Sequence, residues 1–394
     1  MQKNMRGLTF AILSISLLTV MAGAAMAPAL GAIREHFTHC SPLTVQFIVS
    51  LPALTIILTT FAFRPLCRLM RTRTLALTGL VLYVVAGAGA YFVDDIALLL
   101  LLRALLGVSV GMVMPLSTGL LSYYFPPEEQ SRLMGLAAAM NQMGGVVATM
   151  LAGVLATVEW RYAFLVYLAG LLAIVLVAIF LPNEQLNQQG RANQAQKTKF
   201  GTLHLLRRFH PSVTAMLLTM MLFFVYPTNF ALTAREQGVG TLTTTLIMVG
   251  LDAVAFAIGL CFGWLMGHMR RQMKYVAPLG FMAGYALLAF VPGMAGMIAG
   301  SALIGIANGV GVPYLNTIAS IKGGRDAAVT VMPLLSAALY LGQFVSPLIV
   351  SPLAGCIGNT SAPYIVALGI AALFLLQMFL TRNQQALPPA TTGE

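Results

Sequence analysis

A pattern of glycine and proline occurs twice in the chain, at positions separated by half its length. Gly107-x3-Gly111-x3-Pro115 returns as Gly305-x3-Gly309-x3-Pro313, a shift of 198 positions in 394 residues. Gly144 and Gly342 repeat at the same distance. A repeat of this length inside apolar sequence indicates one structural unit that is present twice in tandem. The chain is therefore expected to fold as two halves built on the same plan.

The scarcity of charge shows which solvent such halves can occupy. Charged residues make up 8% of the chain, hydrophobic residues make up 59%, and the mean hydropathy is +0.87. A soluble protein carries about 25% charged residues, so this chain cannot cover a surface that faces water. The short alternating segments of a membrane β-barrel are absent from the sequence. The sequence therefore predicts an all-α membrane protein.

Apolar runs long enough to cross a bilayer number twelve, since one spanning helix needs about 20 residues. They are predicted at 7–32, 43–63, 74–92, 97–122, 133–155, 162–181, 211–232, 242–266, 275–292, 296–320, 328–352 and 363–381. The predicted domains are a six-helix half at 1–182, a polar cytoplasmic linker at 183–210, a second six-helix half at 211–381 and a tail at 382–394.

The net charge of +11 could suggest a nucleic-acid partner, but the placement of the basic residues argues against one. Of the 22 Lys and Arg residues, eighteen fall on one side of the predicted membrane and three fall on the other. Such a bias marks the cytoplasmic side. It predicts that both termini are cytoplasmic, with the lipid bilayer rather than nucleic acid as the partner.

Motifs for metal binding and catalysis are missing from the sequence. The four cysteines lie far apart without C-x-x-C spacing, which supports neither a metal site nor a disulfide framework. Neither H-E-x-x-H nor the phosphate-binding G-x4-G-K-[ST] pattern occurs. No metal, no cofactor and no enzymatic activity are predicted.

Three motifs in order resemble those of one transporter family. They are Arg103-x3-Gly107-x3-Gly111 in span 4, the loop YYFPPEEQSRLMG from Tyr123 to Gly135, and Trp160-Arg161-x2-Phe164 before span 6. With twelve spans in two pseudo-symmetric halves, the chain resembles the major facilitator superfamily over nearly its whole length. Within it, the chain is most similar to bacterial twelve-span drug or metabolite exporters. The resemblance implies a monomeric permease of the bacterial inner membrane that moves a small-molecule solute by alternating access.

The chain also departs from the family pattern at two places. In the loop between spans 2 and 3, Arg64 and Arg68 stand where the family has a glycine and an aspartate. The aspartate helps to lock the outward-open state in the family, so that lock cannot form here in the usual way. Proton-exchanging exporters often carry Gly-Pro in span 5, where this chain has Ala148-Thr149. Proton antiport is therefore left open by the sequence.

Two ionisable residues lie deep within predicted spans, where unpaired charge is costly and functional roles are common. Asp252 is the candidate for proton coupling or substrate contact; the alternative is a permanently protonated carboxyl bonded to a neighbouring helix. Arg103 is the second proton-coupling candidate, as the motif implies; the alternative is an arginine that reaches the interface or bonds to backbone carbonyls of span 1. In the repeat, Arg103 falls opposite Ser301, and Asp252 falls opposite a position near Ala53.

Glycines four positions apart lie on one helix face and allow close approach of another backbone, and proline permits a bend. The repeated motif is thus predicted to form hinge or packing positions: Gly107, Gly111, Pro115, Gly305, Gly309 and Pro313. Polar residues at membrane depth must find partners or face water, and in the family such spans border the cavity. They are candidates either for the substrate cavity or for contacts between helices: Gln46, Asn141, Gln142, Tyr226, Asn229, Asn308, Tyr314, Asn316 and Gln343.

These observations favour a secondary transporter of a small apolar or amphipathic solute. Few charges lie in the spans to complement a charged substrate. Efflux by alternating access is the preferred hypothesis, and its coupling to protons would depend mainly on Asp252. The alternative is an uptake permease or facilitator for a sugar or another neutral metabolite, whose hydroxyl groups would bond to the Asn, Gln and Tyr set.

Overall fold

Helices account for the regular structure of the chain in a computed structural model, which describes residues 2–184, 202–269 and 272–381. The α-helices are Gln2–Ala24, Leu30–His36, Pro42–Leu69, Thr72–Ala88, Ile96–Tyr124, Pro127–Ala156, Gly170–Phe180, Thr202–Glu236, Thr241–Met269, Met273–Phe290, Met294–Ile357 and Ala362–Leu380. Two 3₁₀ segments, Gly89–Phe92 and Trp160–Ala169, join the helices beside them. In these ranges no β-strand is present, which confirms the all-α prediction.

By length and composition, twelve helical stretches in the described ranges can cross a membrane, and we number them as spans 1 to 12 in chain order. Their ends lie within a few residues of the predicted ones, except that span 1 ends earlier than predicted. The long run Met294–Ile357 contains both span 10, Met294–Ile321, and span 11, Val331–Ile357. The predicted tail and most of the predicted linker lie outside the described residues.

Span 1 differs from its prediction because it ends at Ala24 rather than near residue 32. Residues 25–29 form turns, and a separate short helix, Leu30–His36, follows them. Pro28 lies in the turn, where its missing N–H and fixed φ disfavour a continuous helix. The turn leaves the Ala22 carbonyl of span 1 open to side-chain donors, because carbonyls in the last turn of a helix lack the regular helical N–H partners.

The chain divides into two compact units. The first consists of Met1–Asn187 and Pro227–Val249, and the second of Gln188–Tyr226 and Gly250–Glu394. The end of span 7 and the beginning of span 8 therefore belong with spans 1 to 6. The division predicted at 183–210 stays a prediction about the sequence halves.

The repeat of the sequence is present as repeated helix contacts within the two units. A Cβ on Gly107 in span 4 would collide with the Pro52 carbonyl oxygen of span 2. In the second unit a Cβ on Gly305 would lie 2.7 Å from the Leu251 carbonyl oxygen of span 8. Gly111 and Gly309 make the next contacts along the same two interfaces, with Ile56 and Ala255 respectively.

The pairs of spans 1 and 5, and of spans 7 and 11, are equivalent in the same way. A Cβ on Gly144 would collide with the Leu17 carbonyl oxygen, and a Cβ on Gly342 would collide with the Leu217 carbonyl oxygen. Backbone-to-backbone packing thus explains the glycine part of the repeated motif in both units. Pro115 and Pro313 lie inside the long helices of spans 4 and 10, and whether they act as hinges stays a prediction.

Candidate functional site

Arg103 is completely buried in the first unit and is held by groups from three other spans. Its Nη2 donates to the Ala22 carbonyl oxygen at 2.9 Å, and its Nε donates to the Ile48 carbonyl oxygen at 2.6 Å. Its Nη1 donates to the Tyr167 hydroxyl at 2.7 Å, and that hydroxyl donates to the Ala22 carbonyl at 3.1 Å. Within the described ranges, no ion pair involves Arg103. Through these hydrogen bonds, the guanidinium of Arg103 on span 4 joins spans 1, 2 and 6.

Helix chemistry explains why these two carbonyls are available to Arg103. Ala22 lies in the last turn of its helix, where carbonyls have no helical donor. Ile48 lies inside a helix, but the residue four positions later is Pro52, which has no N–H to offer it. Arg103 thus satisfies an acceptor that Pro52 creates. In the second unit, Ser301 corresponds to Arg103 and Leu251 corresponds to Pro52. The arginine and the proline are therefore replaced together.

We expect the effects of Arg103→Ser and Pro52→Leu on stability to be strongly coupled. The single change Arg103→Ser leaves buried acceptors unpaired, at a cost of about 1–3 kcal/mol for each group. Adding Pro52→Leu restores a helical N–H for Ile48 and reproduces the combination found in the second unit. The double variant should therefore be more stable than the sum of the single changes predicts, by about 1 kcal/mol or more.

Thermal unfolding of the four proteins in detergent measures this cycle. Additive losses, within about 0.5 kcal/mol, would contradict the link between Pro52 and Arg103.

The second unit has a tyrosine cluster at the equivalent depth. Ser301, opposite Arg103 in the repeat, shares a hydrogen bond of 2.7 Å with the Tyr226 hydroxyl. Tyr285 donates to the Leu222 carbonyl oxygen, which lies opposite Ala22, and its ring stacks on Tyr364 at 6.1 Å. The two units therefore fill one structural position with an arginine in the first and with neutral hydroxyl groups in the second.

Asp252 lies beside this tyrosine cluster. Its side chain is half-buried, and it lies eleven residues after Thr241, the first residue of span 8. It interacts electrostatically with the phenol of Tyr226. Within the twelve spans it is the only carboxyl residue away from a helix end. The structure thus brings together Asp252 and Tyr226, two residues that the sequence singled out separately.

Two of the predicted cavity residues in the first unit bond to one another. The Gln46 Nε2 donates to the Asn229 Oδ1 at 2.8 Å, and both side chains are buried. Asn229 in turn donates to the Thr228 hydroxyl at 3.0 Å. The Gln46 Oε1 is buried and has no hydrogen-bond partner among the residues that the structure describes. Asn141 accepts a bond from Thr19 at 2.9 Å, as expected for a contact between spans 1 and 5.

The remaining predicted cavity residues are separate from these pairs. Gln142 is exposed, and Asn316 is half-buried. Tyr314 is buried, and Gln343 donates to the Met220 sulfur at 3.8 Å within the second unit. The Asn308 Oδ1 is buried, and no described residue forms a hydrogen bond with it. Their roles in substrate binding stay predictions.

The motif before span 6 forms a charged network beside that span. Arg161 pairs with Asp94 and with Glu159, and its guanidinium lies 5.0 Å from the Trp160 ring centre. His36 lies 3.7 Å from Asp94 and packs against Trp160. This motif therefore fixes the short helix Leu30–His36 onto the beginning of span 6.

The basic loop between spans 2 and 3 meets an acidic residue from elsewhere in the sequence. The Glu184 carbonyl oxygen accepts from the Thr72 backbone N–H at 3.0 Å, and its carboxylate accepts from the Tyr124 hydroxyl at 3.4 Å. Arg73 donates to the Ala178 carbonyl oxygen. Glu184 thus brings a negative charge to the side of the first unit where the usual aspartate is replaced by Arg68.

Several groups of these sites carry no recognisable signal in the sequence. Tyr167 and Tyr285 lie in apolar runs, and backbone carbonyls cannot be distinguished by residue type. Pro52 is visible, and its position four residues after Ile48 is the one signal from which the Arg103 contact could have been inferred.

Comparison with known proteins agrees with this architecture. The family model described as Major Facilitator Superfamily matches residues 10–347. The chain belongs to the Major Facilitator Superfamily. The expectation from the motifs is thereby confirmed, and the chain is a transporter with twelve membrane-spanning helices.

Relatives within the Major Facilitator Superfamily include a drug-resistance protein. The quinolone resistance protein NorA of Staphylococcus aureus is 25% identical over 323 residues, which cover 78% of this chain and 79% of NorA. The fold is similar to that of a bacterial homologue of the human lysosomal transporter Spinster, in an inward-facing and occupied conformation, with a TM-score of 0.77, 14% identity and coverage of 97% and 98%. A D-xylose-proton symporter gives a TM-score of 0.73 at 15% identity, with coverage of 94% and 97%.

Proposed function

We propose that the chain is a secondary active exporter of small apolar or amphipathic solutes, driven by protons. The observation that carries the proposal is that Asp252 is the one carboxyl residue deep within the described spans and interacts electrostatically with Tyr226. The second deep charge, Arg103, is already bonded to protein groups. The similarity to NorA over most of both chains supports efflux.

The chemistry of the spans supports a solute with little charge. A multiply charged solute would need several complementary ions at membrane depth. Asp252 offers a single negative charge, and the amide and hydroxyl groups offer hydrogen bonds. Neutral or singly cationic amphipathic molecules fit this set of groups.

Asp252 supplies the proposed coupling. A half-buried carboxyl in a protein that alternates between two sides can take up a proton from the acidic side and release it on the other. The solute and the proton then bind at span 8 either in competition with each other or in turn. The phenol of Tyr226 is the neighbouring polar group that senses the charge of this carboxyl.

The remaining parts of the proposal follow from the sequence. The excess of basic residues on one side supports a bacterial inner-membrane protein with both termini in the cytoplasm. The functional unit is a monomer with two six-helix halves, joined through the 183–210 linker. Gly107, Gly111, Pro115 and their counterparts act as the packing and hinge positions of alternating access.

A second candidate function is the uptake of a neutral metabolite such as a sugar. The observation in its favour is that the Gln46 Oε1 and the Asn308 Oδ1 are buried acceptors to which no group in the described ranges donates. Hydroxyl groups of a solute can donate to such acceptors. This function differs from export in direction and in substrate class.

Transport by purified protein in liposomes separates the two candidates. With an imposed pH gradient, we expect accumulation or loss of the dye ethidium and of a quinolone at rates above those of protein-free liposomes, and no movement of D-xylose. Transport of D-xylose without transport of the dye or the quinolone would establish the second candidate instead. Transport of the dye at the same rate without a pH gradient would contradict proton coupling.

A further inference from the structure

The short helix Leu30–His36 lies directly on the end of span 7 within the first compact unit. A Cβ on Gly31 would lie 2.7 Å from the Ala231 carbonyl oxygen, so the two backbones touch without intervening side chains. Leu30 and Ile33 are completely buried at the same place. Span 7 begins the second half of the sequence, so this contact ties together parts of both sequence halves.

An ion pair covers the contact on the side that the basic-residue count predicts to be external. The Arg235 Nε and Nη2 donate to the two carboxylate oxygens of Glu35 at 2.6 and 2.8 Å. A bidentate arrangement of this kind is the strong geometry for arginine and carboxylate. The Arg235 hydrogen bond lowers the pKa of Glu35 below its usual value of 4.5. The pair therefore stays charged as the pH falls and is lost only when the pH passes below that lowered pKa.

The buried amide pair lies on the same two sequence halves. Gln46 of span 2 donates to Asn229 of span 7, which lies six residues before Arg235. The ion pair, the backbone contact at Gly31 and the amide pair thus join the same end of span 7 to the short helix Leu30–His36 and to span 2. We call Glu35, Arg235, Gly31, Gln46 and Asn229 the latch.

We propose that the latch holds the predicted external side closed and must open once in every transport cycle. The inference rests on the proposed function, because alternating access requires that side to open. None of the three motifs that resemble the family pattern contains a latch residue.

The composition of the latch suits reversible opening. Its ion pair is exposed, with 42% of the Arg235 side chain and 53% of the Glu35 side chain accessible, so water can replace the pair at little cost. The Gln46 Oε1 accepts no hydrogen bond from the described part of the chain in the closed arrangement, and opening allows water to reach it. A fully satisfied and buried interface would be far harder to open.

Labelling of a cysteine beneath the latch tests its opening without any transport assay. We suggest Ala231→Cys, at a residue that is 3% exposed, with the four natural cysteines replaced by serine. A membrane-impermeant maleimide is then added to spheroplasts. Glu35→Gln and Arg235→Gln should each increase the labelling rate about two- to fivefold, the effect of losing one exposed pair. The exchange Glu35→Arg with Arg235→Glu should restore slow labelling.

Glu236→Gln is the matched control, because it removes one negative charge next to Arg235 and leaves the pair intact. It should label at the rate of the parent protein. Equal rates in Glu35→Gln and Glu236→Gln would overturn the latch.

Reversible cross-linking provides the second measurement. Glu35→Cys with Arg235→Cys, joined by a bifunctional thiosulfonate in proteoliposomes, should stop solute transport until a reductant is added. Unchanged transport in the cross-linked protein, or failure of the two residues to cross-link, would overturn the latch. Absence of transport from the protein before cross-linking would instead contradict the proposed function, and the labelling result would still decide the latch.

Discussion

Asp252→Asn is expected to abolish pH-driven solute movement while leaving the folded protein intact. Asparagine has nearly the shape of the protonated carboxyl, so it should fit at the same position, but it cannot bind or release a proton. In liposomes with an imposed pH gradient, the rate should fall to that of protein-free liposomes. Exchange of labelled for unlabelled solute without a gradient should continue.

Two controls make the Asp252 result specific. Asp252→Glu keeps a titratable group at span 8 and should retain part of the pH-driven rate. Ala53→Asn places the same amide at the position opposite Asp252 in the repeat and should leave the coupling unchanged. If Asp252→Asn transports in response to a pH gradient as the parent does, the proposed coupling through this carboxyl is wrong.

Gly107→Ala should cause a large loss of stability although it adds only one methyl group. The added methyl group would collide with the Pro52 carbonyl oxygen and with Thr55. A backbone oxygen cannot turn aside, so spans 2 and 4 must separate, at a cost of about 1–3 kcal/mol or more for overpacking. Thermal unfolding followed by size-exclusion chromatography in detergent measures the loss.

Gly119→Ala is the matched control in the same helix, because a Cβ at Gly119 would meet no atom within 4 Å. It should be neutral or slightly stabilising, since alanine favours helix more than glycine does. Gly305→Ala should destabilise less than Gly107→Ala, because its Cβ would lie 2.7 Å from the Leu251 carbonyl oxygen. Equal melting temperatures for Gly107→Ala and Gly119→Ala would contradict the backbone contact.

The number and positions of the helices could be predicted because the bilayer demands about 20 apolar residues for each crossing. This demand leaves a strong signal in the sequence, and eleven of the twelve predicted spans agree with the structure to within a few residues at each end. The exception, span 1, was predicted too long because the turn at Pro28 is made of apolar residues. Hydropathy cannot separate a helix from an apolar turn.

The candidate site was predicted less completely, for a reason that the Arg103 contacts illustrate. The sequence indicated a buried arginine and offered backbone carbonyls of span 1 as one alternative. It did not indicate the Ile48 carbonyl, because that acceptor exists only through the absence of an N–H at Pro52. The Glu35–Arg235 pair was also missed, since its two members are 200 positions apart and both lie near ends of apolar runs.

The contacts shared by the two units also preserve a history of length changes. Leu17 and Leu217 are 200 positions apart, Pro52 and Leu251 are 199 apart, and Gly107 and Gly305 are 198 apart. The second copy is thus shorter by one residue between its first and second spans, and by one more before its fourth. An insertion or deletion inside a contacting helix would rotate everything beyond it by about 100°. The length changes are found only where they leave the pairing of residues across these helix contacts unaltered.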